Sequence, residues 1–356
     1  MTSLTYADVD GTLRAIDGHA EGFGQFAIGC LHGHLFPVTS LSDDGPGSLR
    51  EACRSPGPGW IVFDVSGTIQ LSSYLHVGSH KTIDGRGERV TLIGKGLRLK
   101  ECENVIICNM EFEGGRGHDV DGIQIKPNSK HIWIDRCSFK DYDDGLIDIT
   151  RGSTDVTVSR LVIIMLLKFG HGVLDNSNGS KCRGSIHRAM FELLTGADPN
   201  HVGDRSIRVT IHHCFFDGIR QRQPRVRFGK VHLYNNYTRN WQVYAVCASV
   251  EAQIYSQCNI YEAEKKKKTF EFYTEKAADR EEACSGTIRL EGDMFLNEAQ
   301  TRILAGISES MFHPSEYYKT WTMEAPSDSL KHVLQVCTGW QPVPRPVDRL
   351  YVILFF

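Results

Sequence analysis

Two short acidic segments carry the side chains in this sequence best suited to chemistry: Asp119-Val120-Asp121 and Asp143-Asp144-Gly145-Leu146-Ile147-Asp148. In an extended strand, residues two or four apart point to the same side. Asp119 therefore shares a face with Asp121, and Asp144 shares one with Asp148. From Asp121 to Asp144 is 23 residues. If that spacing is one coil of a repeating structure, the carboxylates arrive on neighbouring strands about 4.8 Å apart. Carboxylates crowded on one face repel each other and need a countercharge. A hard cation bound by oxygens at roughly 2.3–2.6 Å supplies it, and Ca²⁺ suits a flexible carboxylate site. The competing reading is solvated aspartates at turns, since Asp-Gly is a frequent turn dipeptide.

The second chemical segment is basic. Arg220-Gln221-Arg222-Gln223-Pro224-Arg225-Val226-Arg227 puts four arginines into eight residues, with one proline to stiffen them. Acids adjacent in sequence cannot pair with all four. A guanidinium grips a carboxylate through a planar, bidentate fork, so the cluster suits a row of carboxylates on a polyanion. Nucleic-acid phosphate is the obvious competitor. The aspartates of the proposed site and the formal net charge of −3 count against it.

Such residues need elements that hold them in register, and the middle of the chain supplies a repeat. Segments 103–112, 130–139, 154–163, 207–216, 229–238 and 251–261 share an alternating apolar pattern. Their first apolar positions are Val105, Ile132, Val156, Val209, Val231 and Ala252, giving steps of 27, 24, 53, 22 and 21 residues. The long step reads as two ordinary ones plus extra material. Each unit is a period-2 run, a polar turn and a second short apolar run. One unit cannot bury its inward face, whereas stacked coils share a continuous core. A period in the low twenties with β-branched residues and no leucine ladder predicts an all-β, parallel β-helix; a sandwich is the alternative on periodicity alone.

The flanks agree with that expectation. Gly45–Cys53 reads as a turn and short helix capping the N-terminal end, and segments 61–71 and 81–87 as first strands. After Glu262 the pattern dissolves, and residues 263–356 are expected to pack back on the solenoid. One domain over 1–356 is expected, without a linker. Thirty-four glycines against twelve prolines favour tight turns over disorder. Eleven scattered cysteines, with no CxxC pair, read as buried free thiols of a reducing compartment. The N-terminus shows neither a basic nor an apolar leader region, and no apolar run reaches membrane-spanning length. LYVILFF (350–356) reads as a sticky tail.

IWID (132–135), DDGLID (143–148) and RQPRVR (222–227) followed by HLYNNYTRNW resemble the signature segments of pectate lyases of polysaccharide lyase family 1. The chain is most similar to plant members that lack a secretion signal, over about residues 20–160 and 196–345. The resemblance implies a right-handed parallel β-helix and β-elimination of α-1,4-polygalacturonate, leaving a 4,5-unsaturated end. It implies Asp121, Asp144 and Asp148 as calcium ligands, with Asp119 a weaker fourth. Arg222 matches the family's proton-abstracting arginine and Arg227 a substrate-binding one, with Arg225 beside it. Partners implied are de-esterified pectin, no nucleic acid and no membrane, with a monomer expected. The substrate lies in the plant cell wall, while the sequence shows no route to it, so the compartment stays open.

Residues 161–195 depart from the family pattern, being roughly two dozen residues too long. The family's substrate-binding lysine falls on Phe191, and Lys168 and Lys181 are speculative substitutes. Loss of that cation makes a catalytically impaired pectin-binding protein the first rival reading. Gly170-His171-Gly172, with the aspartates, faintly mimics polygalacturonases, which hydrolyse. The Arg-Ile-Lys element of those enzymes is missing here, which ranks that rival last.

Overall fold

Val105, Ile132, Val156, Val209 and Val231 fall on one line, each paired with the next in parallel register. All are buried. β-Branched side chains suit this position because they pack well on a pleated, inward-facing surface. Each fully buried Val or Ile contributes about 1.5–3 kcal/mol relative to exposure. Repeated over many coils, this alternation winds the chain into a right-handed parallel β-helix.

The computed structural model describes residues 20–30, 33–164, 193–303 and 311–344. Within them, parallel strands form three long sheets of ten, eight and nine strands that run along the solenoid. The chain passes from the eight-stranded sheet to the ten-stranded one, then to the nine-stranded one and back. Interior side chains stack in ladders, as in the parallel rings of Phe112 and Phe139, whose centroids are 4.6 Å apart. At the corners after the later strands of the ten-stranded sheet sit residues in left-handed conformation, among them Asn109, Arg136, Arg160, His213, Asn235 and Cys258. Asn109, Arg136, Arg160, His213 and Asn235 each donate an amide hydrogen bond to the following coil, which fixes the stacking distance at the bends.

Three details of the expected repeat are corrected. The partner of Val231 is Ile254, not Ala252, because Ala252 belongs to the preceding turn and its strand begins at Gln253. The 53-residue step is a single coil, since Val156 pairs directly with Val209. Val162–Ile164 and Leu193–Thr195 join the nine- and eight-stranded sheets as ordinary strands, so both ends of the long segment are regular coil. Residues 165–192, including Lys168, Lys181, Phe191 and Gly170-His171-Gly172, lie outside the described residues, as do 1–19 and 345–356. The repeat also continues past Glu262: Phe270–Phe272, Thr287–Glu291 and Met294–Leu296 add one more strand to each sheet. Longer turns there hide the alternation.

Helix α1 (Leu49–Arg54) closes the N-terminal end, as the sequence led us to expect. Ser48 caps it by accepting from the Glu51 amide, and Leu49, Ala52 and Cys53 are buried in the core. Residues 22–30 run across the outside of the ten-stranded sheet. The amides of Phe23, Gly24 and Cys30 donate to the outward hydroxyls of Thr210, Thr157 and Thr82. Helix α2 (Asp328–Cys337) lays Leu330 and Leu334 on Phe215, Tyr237 and Ile260 of the nine-stranded sheet. The two flanks thus return to the solenoid and cover faces of two sheets. The acidic and basic segments meet on the third.

The ten described cysteines are free thiols, seven of them buried. Burial pushes Cys53 and Cys214 up to about 12, which keeps them protonated and chemically quiet. No helix among the described residues is long and apolar enough to cross a membrane.

Candidate active site

The outward-facing centre of each rung in the eight-stranded sheet forms a column. His76, Arg98, Gln124, Asp148, Leu194, Arg225, Cys247 and Glu271 follow one another in parallel register. Their neighbours Ile123, Ile125, Ile147, Ile149 and Leu193 point inward and are buried. Alternation alone thus sends Asp148 outward on one rung and Arg225 outward two rungs on, about 10 Å away along the sheet.

The acidic cluster forms at the entry to two of these strands. Ile123 pairs with Ile147, an offset of 24 residues, so Asp121 comes level with Gly145 rather than Asp144. Oxygens of Asp119, Asp121 and Asp148 all lie within 4.8 Å of one another. The absent side chain of Gly145 makes this approach possible. A Cβ there would stand 2.4 Å from Asp121 Oδ1 and 3.3 Å from Asp148 Oδ1. Asp-Gly is a turn dipeptide in the sequence, and here its glycine also makes room for two carboxylates.

Asp144 takes a different place from the other three. Its Oδ2 accepts from the Asp119 amide at 2.8 Å, shaping the loop that carries Asp119. Tyr74 braces the same loop: its hydroxyl accepts from the Asp121 amide at 2.9 Å and donates to the Asp119 carbonyl at 2.8 Å. Gln124 donates to Asp121 Oδ2 at 2.7 Å, which leaves Oδ1 facing the cluster. The guanidinium of Arg98 fixes that amide by donating to Gln124 Oε1 at 2.9 and 2.6 Å, while lying over the Tyr74 ring. Lys126 Nζ lies 3.1 Å from Asp119 Oδ1 and 4.0 Å from Asp148 Oδ2.

Burial dominates the electrostatics. It pushes the Asp121 carboxyl up to about 6, opposed by the Gln124 bond and Lys126 and reinforced by Asp144 and Asp119. Asp148 is pushed well above the usual carboxylate range by burial and then by the Asp121 charge. Two acids held up in this way, Asp121 buried and Asp148 half-buried, ask for a positive charge. Three converging carboxylates on a half-open face, all oxygen donors, fit a hard divalent ion such as Ca²⁺.

The basic segment enters the next rungs. The Leu193 amide donates to the Arg222 carbonyl, and Leu193 itself pairs with Ile147. Arg222 adopts φ 68° just before the strand Arg225–Val226. Burial lowers its pKa; Tyr244 opposes the shift, Arg225 and Arg227 add to it, and the Asp148 charge acts against it. Arg222 and Asp148 thus share one electrostatic neighbourhood. Arg225 and Arg227 both pair with a single acid distant in sequence, Glu275, at 2.8 Å each, and Arg225 lies over the Tyr273 ring.

Five residues of this arrangement escaped the sequence reading: Tyr74, Arg98, Gln124, Lys126 and Glu275. Arg98 and Gln124 had a signal, since Arg98, Gln124 and Asp148 follow one another at steps of about one coil. Glu275 had none.

A model of the family described as pectate lyase matches residues 70–295. Putative pectate lyase 21 of Arabidopsis thaliana is 36% identical over 300 residues, which cover 79% of this chain and 70% of that protein. Pectate lyase 1 of Ambrosia artemisiifolia is 35% identical over 277 residues, 71% of this chain and 64% of that one. The chain belongs to the pectate lyase family. Among solved structures, jun a 1, the major allergen from cedar pollen, aligns with a TM-score of 0.75 at 28% identity, over 92% of this chain and 94% of that one. A pectate lyase from Bacillus sp. N165, determined in complex with trigalacturonate, shares the fold with a TM-score of 0.66 at 19% identity, over 90% and 98%. This pectate lyase family member is therefore a polysaccharide lyase on a β-helix scaffold, and its acidic and basic segments fall on one sheet of that scaffold.

Proposed function

We propose that the chain cleaves de-esterified pectin by calcium-dependent β-elimination across the eight-stranded sheet. The reading rests on one observation above all: Asp119, Asp121 and Asp148 converge to within 4.8 Å, with Arg222 in the electrostatic field of Asp148. Bound at the carboxylates, calcium would neutralise a galacturonate carboxylate and acidify the proton at C5. The chain's own residues do the rest. Asp121 and Asp148 anchor the ion, Asp119 completes the oxygen set, and Asp144 holds the Asp119 loop in place.

Arg222 is the base that takes the C5 proton. An arginine is ordinarily protonated, with a pKa of about 12.5 or higher. Burial and the charges of Arg225 and Arg227 favour its neutral form. Arg225 and Arg227, both held by Glu275, present donors to the uronate row on the side away from the acidic cluster. Electrons from the C5–H bond form the C4–C5 double bond as the O4-linked sugar leaves with its electron pair.

The test is ultraviolet absorbance of the unsaturated uronide formed from polygalacturonate, with and without chelator. Product that appears with calcium and vanishes with chelator supports the reading. New reducing ends without unsaturation would mean hydrolysis instead, and binding without turnover would mean a silent pectin-binding protein.

A further inference from the structure

Lys126 follows the strand Ile123–Ile125, two residues after outward-facing Gln124. Its ammonium reaches back to two of the three clustered carboxylates, 3.1 Å from Asp119 Oδ1 and 4.0 Å from Asp148 Oδ2. The Lys126 side chain is 19% exposed, against 54% for that of Asp119, so the ammonium sits in the cluster and not beside it. Its charge also lowers the pKa of both Asp121 and Asp148. One cationic side chain therefore meets two of the three acids directly.

An ammonium is a compact point charge that donates to the same oxygens a hard cation coordinates. A carboxylate oxygen facing Nζ–H cannot at the same moment give that lone pair to a metal. The lysine also cuts the charge presented to an incoming ion from three negative to two. We propose that Lys126 is a built-in counterion of the acidic site, displaced when a divalent cation enters, and that it thereby sets how much calcium this chain needs. Its four-carbon stem lets the ammonium swing out into the groove without moving the strand. This inference rests on the reading of Asp119, Asp121 and Asp148 as calcium ligands.

The experiment is a calcium titration of the metal-stripped full chain at mildly alkaline pH and low salt, by calorimetry and by competition with Tb³⁺ luminescence. Wild type, Lys126→Met and Lys126→Arg are compared after circular dichroism shows the same fold. Lys126→Gln replaces the methionine variant if that one does not fold. Removing a unit charge a few ångströms from the ion should tighten calcium binding by about tenfold after solvent screening. The arginine variant, which keeps the charge, should stay near wild type. Equal or weaker binding by the neutral variant would overturn the inference, as would an arginine variant as tight as the neutral one. If neither wild type nor variants bind calcium, the calcium-site reading itself fails, and the Lys126 inference fails with it.

Discussion

Gly145→Ala is a small perturbation with a large expected effect. The new methyl would stand 2.4 Å from Asp121 Oδ1, where ordinary contact begins near 3.4 Å, so the carboxylate must retreat by about 1 Å. It has little room to do so. Asp121 is buried, its amide is held by Tyr74 and its second oxygen by Gln124. Retreat therefore costs either the Gln124 bond or the aim of Oδ1 at the cluster. A charged contact of this kind is worth about 1.5–3 kcal/mol, which predicts calcium binding weaker by roughly tenfold to a hundredfold. Crowding costs the fold about 1–3 kcal/mol, so the melting temperature should drop by only a few degrees in a chain this large. Calorimetric titration of the stripped protein measures the first effect and thermal melting the second. Half-activating calcium should rise in step with the dissociation constant. Calcium affinity within twofold of wild type would refute the claim that Gly145 makes room for the site.

Arg222→Lys should abolish unsaturated product while calcium affinity and melting temperature stay near wild type, since an ammonium cannot reproduce the planar fork; retained turnover would remove Arg222 as the base. Because burial lowers the Arg222 pKa, activity should climb toward alkaline pH, and a profile peaking in acid would contradict the assignment. For the calcium-free chain, the raised Asp121 pKa has a definite sign. Its contribution to stability is fully present below the ordinary value of 3.8 and is lost as pH rises through about 6. Asp121→Asn should therefore melt higher than wild type at neutral pH and lose that advantage near pH 4; parallel curves would deny that Asp121 is a strained acid. Asp144→Asn should weaken calcium binding less than Asp148→Asn, because an asparagine oxygen can still accept from the Asp119 amide.

Much of the architecture was legible before any coordinates. Period-2 runs of β-branched residues recurring every twenty-odd positions leave a chain few ways to bury one face of each run, and stacking is the one that repeats. The same alternation sends Asp148 and Arg225 outward, because a strand's period of two is a local property. The Ser48 cap with Leu49, Ala52 and Cys53 behind it is equally local, so α1 was readable. Where coils lengthen, the pattern blurs: Ala252 passed for Ile254, and the coil after Glu262 was missed because its turns are long and polar.

The site needed the third dimension. A register of 24 instead of 23 is a one-residue matter, yet it moves Asp121 from Asp144 to Gly145 and turns a turn glycine into the space two carboxylates share. Register comes from how whole coils stack, which no single segment specifies. Glu275 lies about fifty residues beyond the arginines it pairs with, and Lys126 reaches its acids only because a strand ends where it does. Residue type and spacing thus determined which groups could do chemistry on this chain. Only the stacked solenoid decided which of them touch, because long side chains meet across rungs that are distant in sequence and about 5 Å apart in space.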